Sequence, residues 1–155
     1  MSKVKIRDIR TIFTEPDNIR LIIVKIETSE PGIHGVGCAT FTQRPTAVRA
    51  AIDDYLRPFL IGRDVADIED IWQSSYVSSY WRNGPVLNNA MSGVDQAFWD
   101  IKGKLAGMPL DDLFGGKARS SAAVYVHANG DDPLQVEEEV CRYLDEGYHH
   151  IFVFK

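Results

Sequence analysis

The chain has 155 residues, a length that suits one ordinary domain, or one small domain with part of another. Its hydrophobic share of 45% and charged share of 25% are typical of a soluble globular protein. The net charge of −5 at pH 7 disfavours nucleic acid as a partner, because nucleic-acid binding requires a basic surface. An anionic metabolite is still compatible with this charge if a metal and a few cations focus the field locally.

Targeting signals and metal-binding cysteines are not visible. No apolar run approaches the ~18 residues that a membrane span needs. The basic start runs directly into strand-like sequence, without the apolar core of a secretory signal. We therefore expect a cytoplasmic protein with no membrane partner. Cys38 and Cys141 have no Cys or His neighbour at metal-ligand spacing, and we expect both to be buried or half-buried free thiols.

The first forty residues have the pattern of an antiparallel sheet. Segments rich in β-branched or alternating residues predict three strands: 3–13, 19–28 and 33–39. Turn residues separate them at 15–18 and at 31–32. Gly35 and Gly37 alternate in the third strand, which indicates a bend or the close approach of another backbone. Three strands joined by short turns predict a meander.

Helical periodicity begins at Pro45. One segment ends near Pro58 to Gly62, a second starts at Asp67, and a third, the longest, ends before Gly107. A short further turn is predicted at 110–114. In each helix one set of residues is predicted to share a face. The sets are Val48, Ala51, Ile52, Tyr55 and Phe59 in the first helix, Ile68, Ile71, Trp72, Ser75 and Tyr76 in the second, and Leu87, Ala90, Met91, Val94, Phe98, Ile101 and Leu105 in the third, and these faces are expected to point inward.

A strand–helix–strand pattern follows Gly115-Gly116. Strands are predicted at 122–127 and 151–154, and the helix between them starts after the capping sequence 129–133 and ends at Gly147. Such a unit is typical of the start of a parallel α/β fold. A two-stranded parallel sheet leaves apolar faces uncovered, and a complete eight-unit barrel needs ~250 residues. We therefore interpret the chain as incomplete relative to its own architecture.

Five blocks, in one order and at compatible spacing, carry a resemblance to a known family. They are 35–40 (GVGCAT), 60–64 with 68–73 (LIGRD and IEDIWQ), 80–85 (YWRNGP), 93–102 (GVDQAFWDIK), and 107–110 with 115–117 (GMPL and GGK). The chain resembles the N-terminal part of the enolase superfamily, of the mandelate racemase and muconate lactonizing enzyme type. Within it, the blocks are most similar to the mannonate dehydratase and D-gluconate dehydratase-like group.

The resemblance implies both a fold and an activity. Residues 1–115 would form an α+β capping domain, a three-stranded antiparallel meander plus a helical bundle. Residues 120–155 would be the first β-α-β of a truncated (β/α)7β barrel. In the family, Mg²⁺ stabilises an enediolate formed from a sugar acid such as mannonate or gluconate, and β-elimination of water follows. A homo-oligomer is also implied.

The resemblance places the metal-binding carboxylates and the catalytic acid and base beyond residue 155. It therefore assigns no catalytic and no metal-binding residue to this chain, and the isolated chain is expected to be inactive. What it does assign are substrate-binding candidates. Thr42 takes the place of a substrate-contacting Asn in the loop 40–44, and Gln43 beside it supplies an amide. His127 ends the first barrel strand, and Arg82 lies in the aromatic loop 80–84.

Structural interpretations of the same residues stay open. Gln43 can be a polar loop residue, His127 a structural histidine, and Trp81 a core residue. Arg82 can pair with a carboxylate, either Asp95 or Asp100.

Other residues that could suggest chemistry have simpler interpretations. Asp95 and Asp100 point in different directions on one helix, and we interpret both as structural. The adjacent His149 and His150 face opposite sides of a strand, which argues against a metal site.

One departure from the family pattern lies in the last strand. Phe152 and Phe154 are apolar where the dehydratase group has polar residues. Such a change is typical of a sequence that has lost constraint near a truncation, or of a non-functional copy. The alternative to a dehydratase fragment is a non-catalytic truncated homologue that acts as an assembly or regulatory piece. The length of the open reading frame would distinguish the two.

Overall fold

The computed structural model describes residues 3–80 and 82–153. The predictions for Trp81 and Phe154 lie outside the described residues. The chain divides into two compact units, residues 1–116 (unit 1) and residues 117–155 (unit 2).

Within residues 3–80, unit 1 contains a three-stranded antiparallel sheet in the order β1-β2-β3. The strands are β1 (Ile6–Thr14), β2 (Leu21–Thr28) and β3 (His34–Cys38), with a 3-10 turn at Pro16–Asn18. Ile9 pairs with Ile26, and Val24 pairs with Gly37. Alternate residues of β2 are buried, because one face of the sheet packs on the core. The predicted meander is confirmed.

Helices cover one face of this sheet. They are α1 (Pro45–Ala50), continued by a π-helical segment (Ala51–Leu56) and α2 (Arg57–Leu60), then α3 (Ile68–Ser78), α4 (Pro85–Ala106) and the short α5 (Leu110–Leu113). The π-helical segment was not predicted. Pro58 lacks a backbone N–H and its ring crowds the carbonyl four residues earlier, which favours a wider turn before it.

The core of unit 1 lies between the sheet and α4. Its largest fully buried side chains are Phe98, Ile6, Ile9, Ile22, Ile26, Ile52, Leu60 and Ile101. Some residues predicted to face inward are exposed instead: Tyr55, Phe59, Trp72, Leu87 and Leu105. The π-helical segment changes the helical period, so Tyr55 and Phe59 turn away from the predicted face. Leu87 and Leu105 lie near the two ends of α4.

Unit 2 contains β4 (Val126–Ala128), α6 (Pro133–Asp145) and β5 (Ile151–Val153). The two strands are parallel, and His127 pairs with Phe152. The prediction of a parallel β-α-β unit is confirmed, although β4 starts later than predicted, at Val126, opposite the first residue of β5. The side chain of Asp132 caps α6 by accepting hydrogen bonds from the backbone of Leu134 and Gln135, as the capping sequence predicted.

Candidate functional site

The loop 40–44 is anchored at its root by Thr40. The backbone N–H of Ala39 donates to the carbonyl of Ile22 at 2.8 Å. The N–H of Ile22 in turn donates to Thr40 Oγ1 at 3.0 Å, and Cys38 Sγ lies 3.0 Å from the same oxygen. The loop therefore leaves the sheet from a position that is tied to β2 on one side and to β3 on the other.

The tip of this loop carries two of the predicted substrate-binding residues. Thr42 and Gln43 are exposed, whereas Phe41 packs against the core. The backbone N–H of Arg44 donates to the carbonyl of Phe41 at 3.2 Å, and its guanidinium donates to the carbonyl of Gln43 at 2.6 Å. The backbone of the tip is thus held in place, while the hydroxyl of Thr42 and the amide of Gln43 face solvent.

Three side chains of α4 bind the outer edge of β3, and we call them the edge clamp: Gln96, Asp100 and Lys104. Gln96 accepts from the N–H of Cys38 at 3.1 Å and donates to its carbonyl at 3.3 Å. Asp100 accepts from the N–H of Val36 at 2.9 Å. Lys104 donates to the carbonyl of His34 at 2.8 Å and to Asp100 at 2.7 Å.

The edge clamp satisfies backbone groups that an edge strand would otherwise expose. It was missed from the sequence, although its spacing of four residues on one helix face is a signal that could have revealed it.

Glycine lets α4 lie directly on β3. A Cβ atom added at Gly37 would lie 2.0 Å from the carbonyl oxygen of Gly93, and one at Gly35 would lie 2.0 Å from that of Ala97. The predicted close approach of another backbone is therefore confirmed. This contact brings the edge clamp within hydrogen-bonding distance of the strand that leads into the loop 40–44.

Arg82, the third predicted residue of unit 1, packs against an aromatic ring. Its guanidinium carbon lies 5.6 Å from the ring centre of Tyr76. The Tyr76 hydroxyl donates to Asn83 Oδ1 at 2.9 Å, and Asn83 has a positive φ of 77°. Asp100, one of the carboxylates considered as a partner of Arg82, binds Lys104. Arg82 and Tyr76 line a groove of about 450 Å³.

His127 lies on β4 in unit 2 and is exposed. The ring centre of Tyr125 is 5.2 Å from that of His127, and the ring centre of Phe152 is 5.3 Å away. Thr42, Gln43 and Arg82 belong to unit 1 and His127 to unit 2. The substrate-binding roles of these four residues stay predictions.

Both cysteines are exposed, which corrects the expectation of buried or half-buried thiols. Gly35 and Gly37 lie on the face of β3 that packs on α4. Cys38 follows Gly37 directly in the strand, so its side chain points to the opposite face. Cys141 lies on α6, a helix without fully buried residues.

Among the described carboxyl groups of unit 1, those of Asp95 and Glu27 have a shifted pKa. Burial raises the pKa of Asp95, and the negative charge of Glu69 raises it further. Hydrogen bonds from Lys25 and Arg10 lower the pKa of Glu27 on the sheet surface. Neither group touches a predicted substrate-binding residue.

The described residues do not fit a Mg²⁺ site. Within residues 3–80 and 82–153, no three His, Cys, Asp or Glu side chains lie together as ligands. Mg²⁺ is usually held by carboxylates of the protein. Within the same residues, no helix is both long and apolar enough to cross a membrane.

Residues 2–115 match a family described as the mandelate racemase / muconate lactonizing enzyme, N-terminal domain. The chain belongs to this family. The match covers the sheet, the helices and the edge clamp of unit 1. The resemblance to the N-terminal part of the enolase superfamily is therefore confirmed, together with the α+β capping fold that it implied.

Similar proteins extend the match into unit 2. A D-galactonate dehydratase family member from Musicola paradisiaca is 58% identical over 151 residues, and one from Enterocloster bolteae is 60% identical over 151 residues. An enolase structure from Pantoea ananatis with bound D-gluconate and Mg is 58% identical, with a TM-score of 0.88. Each comparison covers 97% of this chain but only 36–37% of the relative. The chain thus spans about a third of the length of the relatives it matches.

Proposed function

We propose that this chain is the N-terminal part of a sugar-acid dehydratase of the galactonate or gluconate type. The observation that carries the proposal is 58% identity, over 97% of the chain, both to a D-galactonate dehydratase family member and to an enolase structure with bound D-gluconate and Mg. Mannonate, the substrate named by the sequence resemblance, belongs to the same chemical class.

In this proposal the chain supplies specificity rather than catalysis. Residues 1–115 act as the capping domain and residues 120–155 as the start of the barrel. Gln43, Thr42 and Arg82 from the cap, and His127 from the barrel strand, bind hydroxyl groups or the carboxylate of the acid. When bound, Mg²⁺ would stabilise the negative charge that develops after proton abstraction. Its ligands would lie outside this chain, so we expect the isolated 155 residues to be inactive.

The test uses the protein expressed from its complete reading frame, with the 155-residue chain in parallel. Each protein is incubated with Mg²⁺ and D-gluconate, D-galactonate or D-mannonate. Binding of the sugar acid and formation of the 2-keto-3-deoxy acid are then measured. We expect the reading-frame protein to bind and dehydrate at least one of them, and the 155-residue chain to dehydrate none. Failure of the reading-frame protein to bind any sugar acid would overturn the proposal and favour the non-catalytic alternative.

His127 offers a sharper test of the same site. Replacing it with Ala in the reading-frame protein is expected to weaken sugar-acid binding by about 1–3 kcal/mol, since a polar group of the ligand loses its partner. Gln43→Ala should cost less, because water can replace an exposed loop amide. His149→Ala, which alters an exposed histidine of the same unit, is the control. Equal affinities for wild type and His127→Ala, measured by calorimetry, would show that the site is misassigned.

A further inference from the structure

Three rings lie side by side on one face of the β4–β5 pair, and we call them the aromatic trio: Tyr125, His127 and Phe152. Tyr125 and His127 share a face because they are two positions apart, and His127 is the register partner of Phe152. The Tyr125 and Phe152 ring centres are 6.5 Å apart. Tyr125 is 62% exposed and Phe152 is 48% exposed, so both rings are accessible to a ligand.

The Phe152 ring makes the surface beside the imidazole apolar. The side chain of phenylalanine has no hydrogen-bond donor or acceptor. A ligand hydroxyl pressed against Phe152 therefore loses its water without gaining a partner, which is unfavourable. A carbon-bound hydrogen at the same place buries apolar surface instead, which is favourable. The ring thus distinguishes the two sides of a ligand carbon, one of which carries a hydroxyl and the other a hydrogen.

We propose that Phe152 is a specificity-determining residue of the site that contains His127. It selects sugar acids that present a carbon-bound hydrogen, rather than a hydroxyl, beside the group that His127 holds. This inference rests on the proposed function. D-Galactonate differs from D-gluconate in the configuration at C4, and D-mannonate differs from D-gluconate at C2; the three acids are the probes for it.

The experiment titrates each epimer into the reading-frame protein, its Phe152→Gln variant and its Phe152→Leu variant. Phe152→Gln places an amide where the ring was, whereas Phe152→Leu keeps the surface apolar. We expect Phe152→Gln to change the ratio of affinities between the preferred and a disfavoured epimer by about tenfold, the scale on which a pocket discriminates small differences. Phe152→Leu should preserve the order of preference.

The outcomes separate this inference from the proposed function. Unchanged ratios in Phe152→Gln, or an equal change in Phe152→Leu, would overturn the role of Phe152 while sugar-acid binding stands. Absence of binding by the wild type would overturn the proposed function and this inference with it. Near-ultraviolet circular dichroism checks the fold of each variant, and Phe152→Thr replaces Phe152→Gln if that variant does not fold.

Discussion

Asp95 and Asp100 lie on the same helix, but their environments differ. Asp100 accepts hydrogen bonds from the backbone of Val36 and from Lys104. Asp95 is half-buried, and its pKa is raised first by burial and then by the charge of Glu69. The hydrogen bonds of Asp100 fit the interpretation of that residue as structural. The ionised form of Asp95 is disfavoured in the folded state, so its charge opposes folding.

The raised pKa of Asp95 predicts how its replacement changes stability with pH. Because the folded state holds this proton more tightly than the unfolded state, stability falls as pH rises from the unfolded value of about 4 through the raised folded value. Asp95→Asn is therefore expected to be more stable than the wild type at pH 7, by a small amount because the group is partly solvated. The gain should vanish at about pH 3.

Urea unfolding of the wild type and Asp95→Asn at both pH values measures this difference. Asp54→Asn, which alters an exposed carboxylate of the π-helical segment, is the matched control. Glu69→Gln should recover part of the gain, since it removes one of the two causes. An Asp95→Asn variant that is less stable at pH 7 than at pH 3, relative to wild type, would contradict the prediction.

At the scale of elements, β3 is held from two sides. It pairs with β2 along one edge, and α4 covers its glycines and clamps its other edge. This arrangement determines where the loop 40–44 begins, because Cys38 is the last residue of β3 and is bound by Gln96. The position of Gln43 therefore depends on helix packing as well as on loop sequence.

Gly37→Ala is expected to destabilise unit 1. The added methyl group would lie 2.0 Å from the carbonyl oxygen of Gly93, so that β3 or α4 must move. Overpacking of this kind costs about 1–3 kcal/mol, and here it acts on backbone that cannot rotate away. Val36→Ala, at a 43% exposed position of the same strand, is the control. Equal midpoints of urea unfolding for Gly37→Ala and wild type would show that the close approach does not exist.

Removal of the Gln96 side chain is expected to loosen the end of β3 locally. In Gln96→Ala the N–H of Cys38 loses its acceptor, so its hydrogen exchange should accelerate about tenfold, together with exchange in the loop 40–44. Gln96→Glu keeps the acceptor but loses the donor to the Cys38 carbonyl, and should give a smaller change.

Gln73→Ala, at an exposed glutamine of α3, is the control for general effects. Hydrogen exchange followed by mass spectrometry or NMR makes the comparison. If the Cys38 amide exchanges at the same rate in Gln96→Ala and Gln73→Ala, Gln96 does not protect this amide.

At the scale of the whole molecule, the two units differ in how much core they have. Unit 1 contains a continuous cluster of buried side chains between sheet and helices. Among the described residues 117–153 of unit 2, Ala128 alone is fully buried. Val124, Phe152 and Val153 are exposed. Since hydrophobic burial is the dominant favourable term in folding, unit 2 has much less to stabilise it.

We therefore expect backbone amides of β4 and β5 to exchange faster than those of β1 and β2 in the isolated chain. The difference should be at least a hundredfold, because local opening of a small sheet requires much less free energy than opening a core. Hydrogen exchange of a chain that light scattering shows to be monomeric is the measurement. Equal protection in the two units of such a monomer would contradict the expectation.

Much of this architecture was accessible from local sequence patterns. The alternation of β2, the helical periodicity of α4 and the capping sequence before α6 each depend on neighbours within a few positions. Gly35 and Gly37 indicated a bend or the close approach of another backbone, and the structure shows the close approach. The family match needed only the order and spacing of the five sequence blocks, and the match over residues 2–115 confirms it.

The sequence by itself therefore determined most of the elements, their order and the family. Only the tertiary structure decided which residues of different elements contact one another. The bond from Gln96 to Cys38 and the stacking of Arg82 on Tyr76 depend on packing angles, and the pairing of His127 with Phe152 depends on strand register. The exposure of Tyr55 follows from a π-helical segment that a fixed helical period cannot represent. Local patterns report on neighbours along the chain, whereas these contacts join residues that the folding of the backbone brings together.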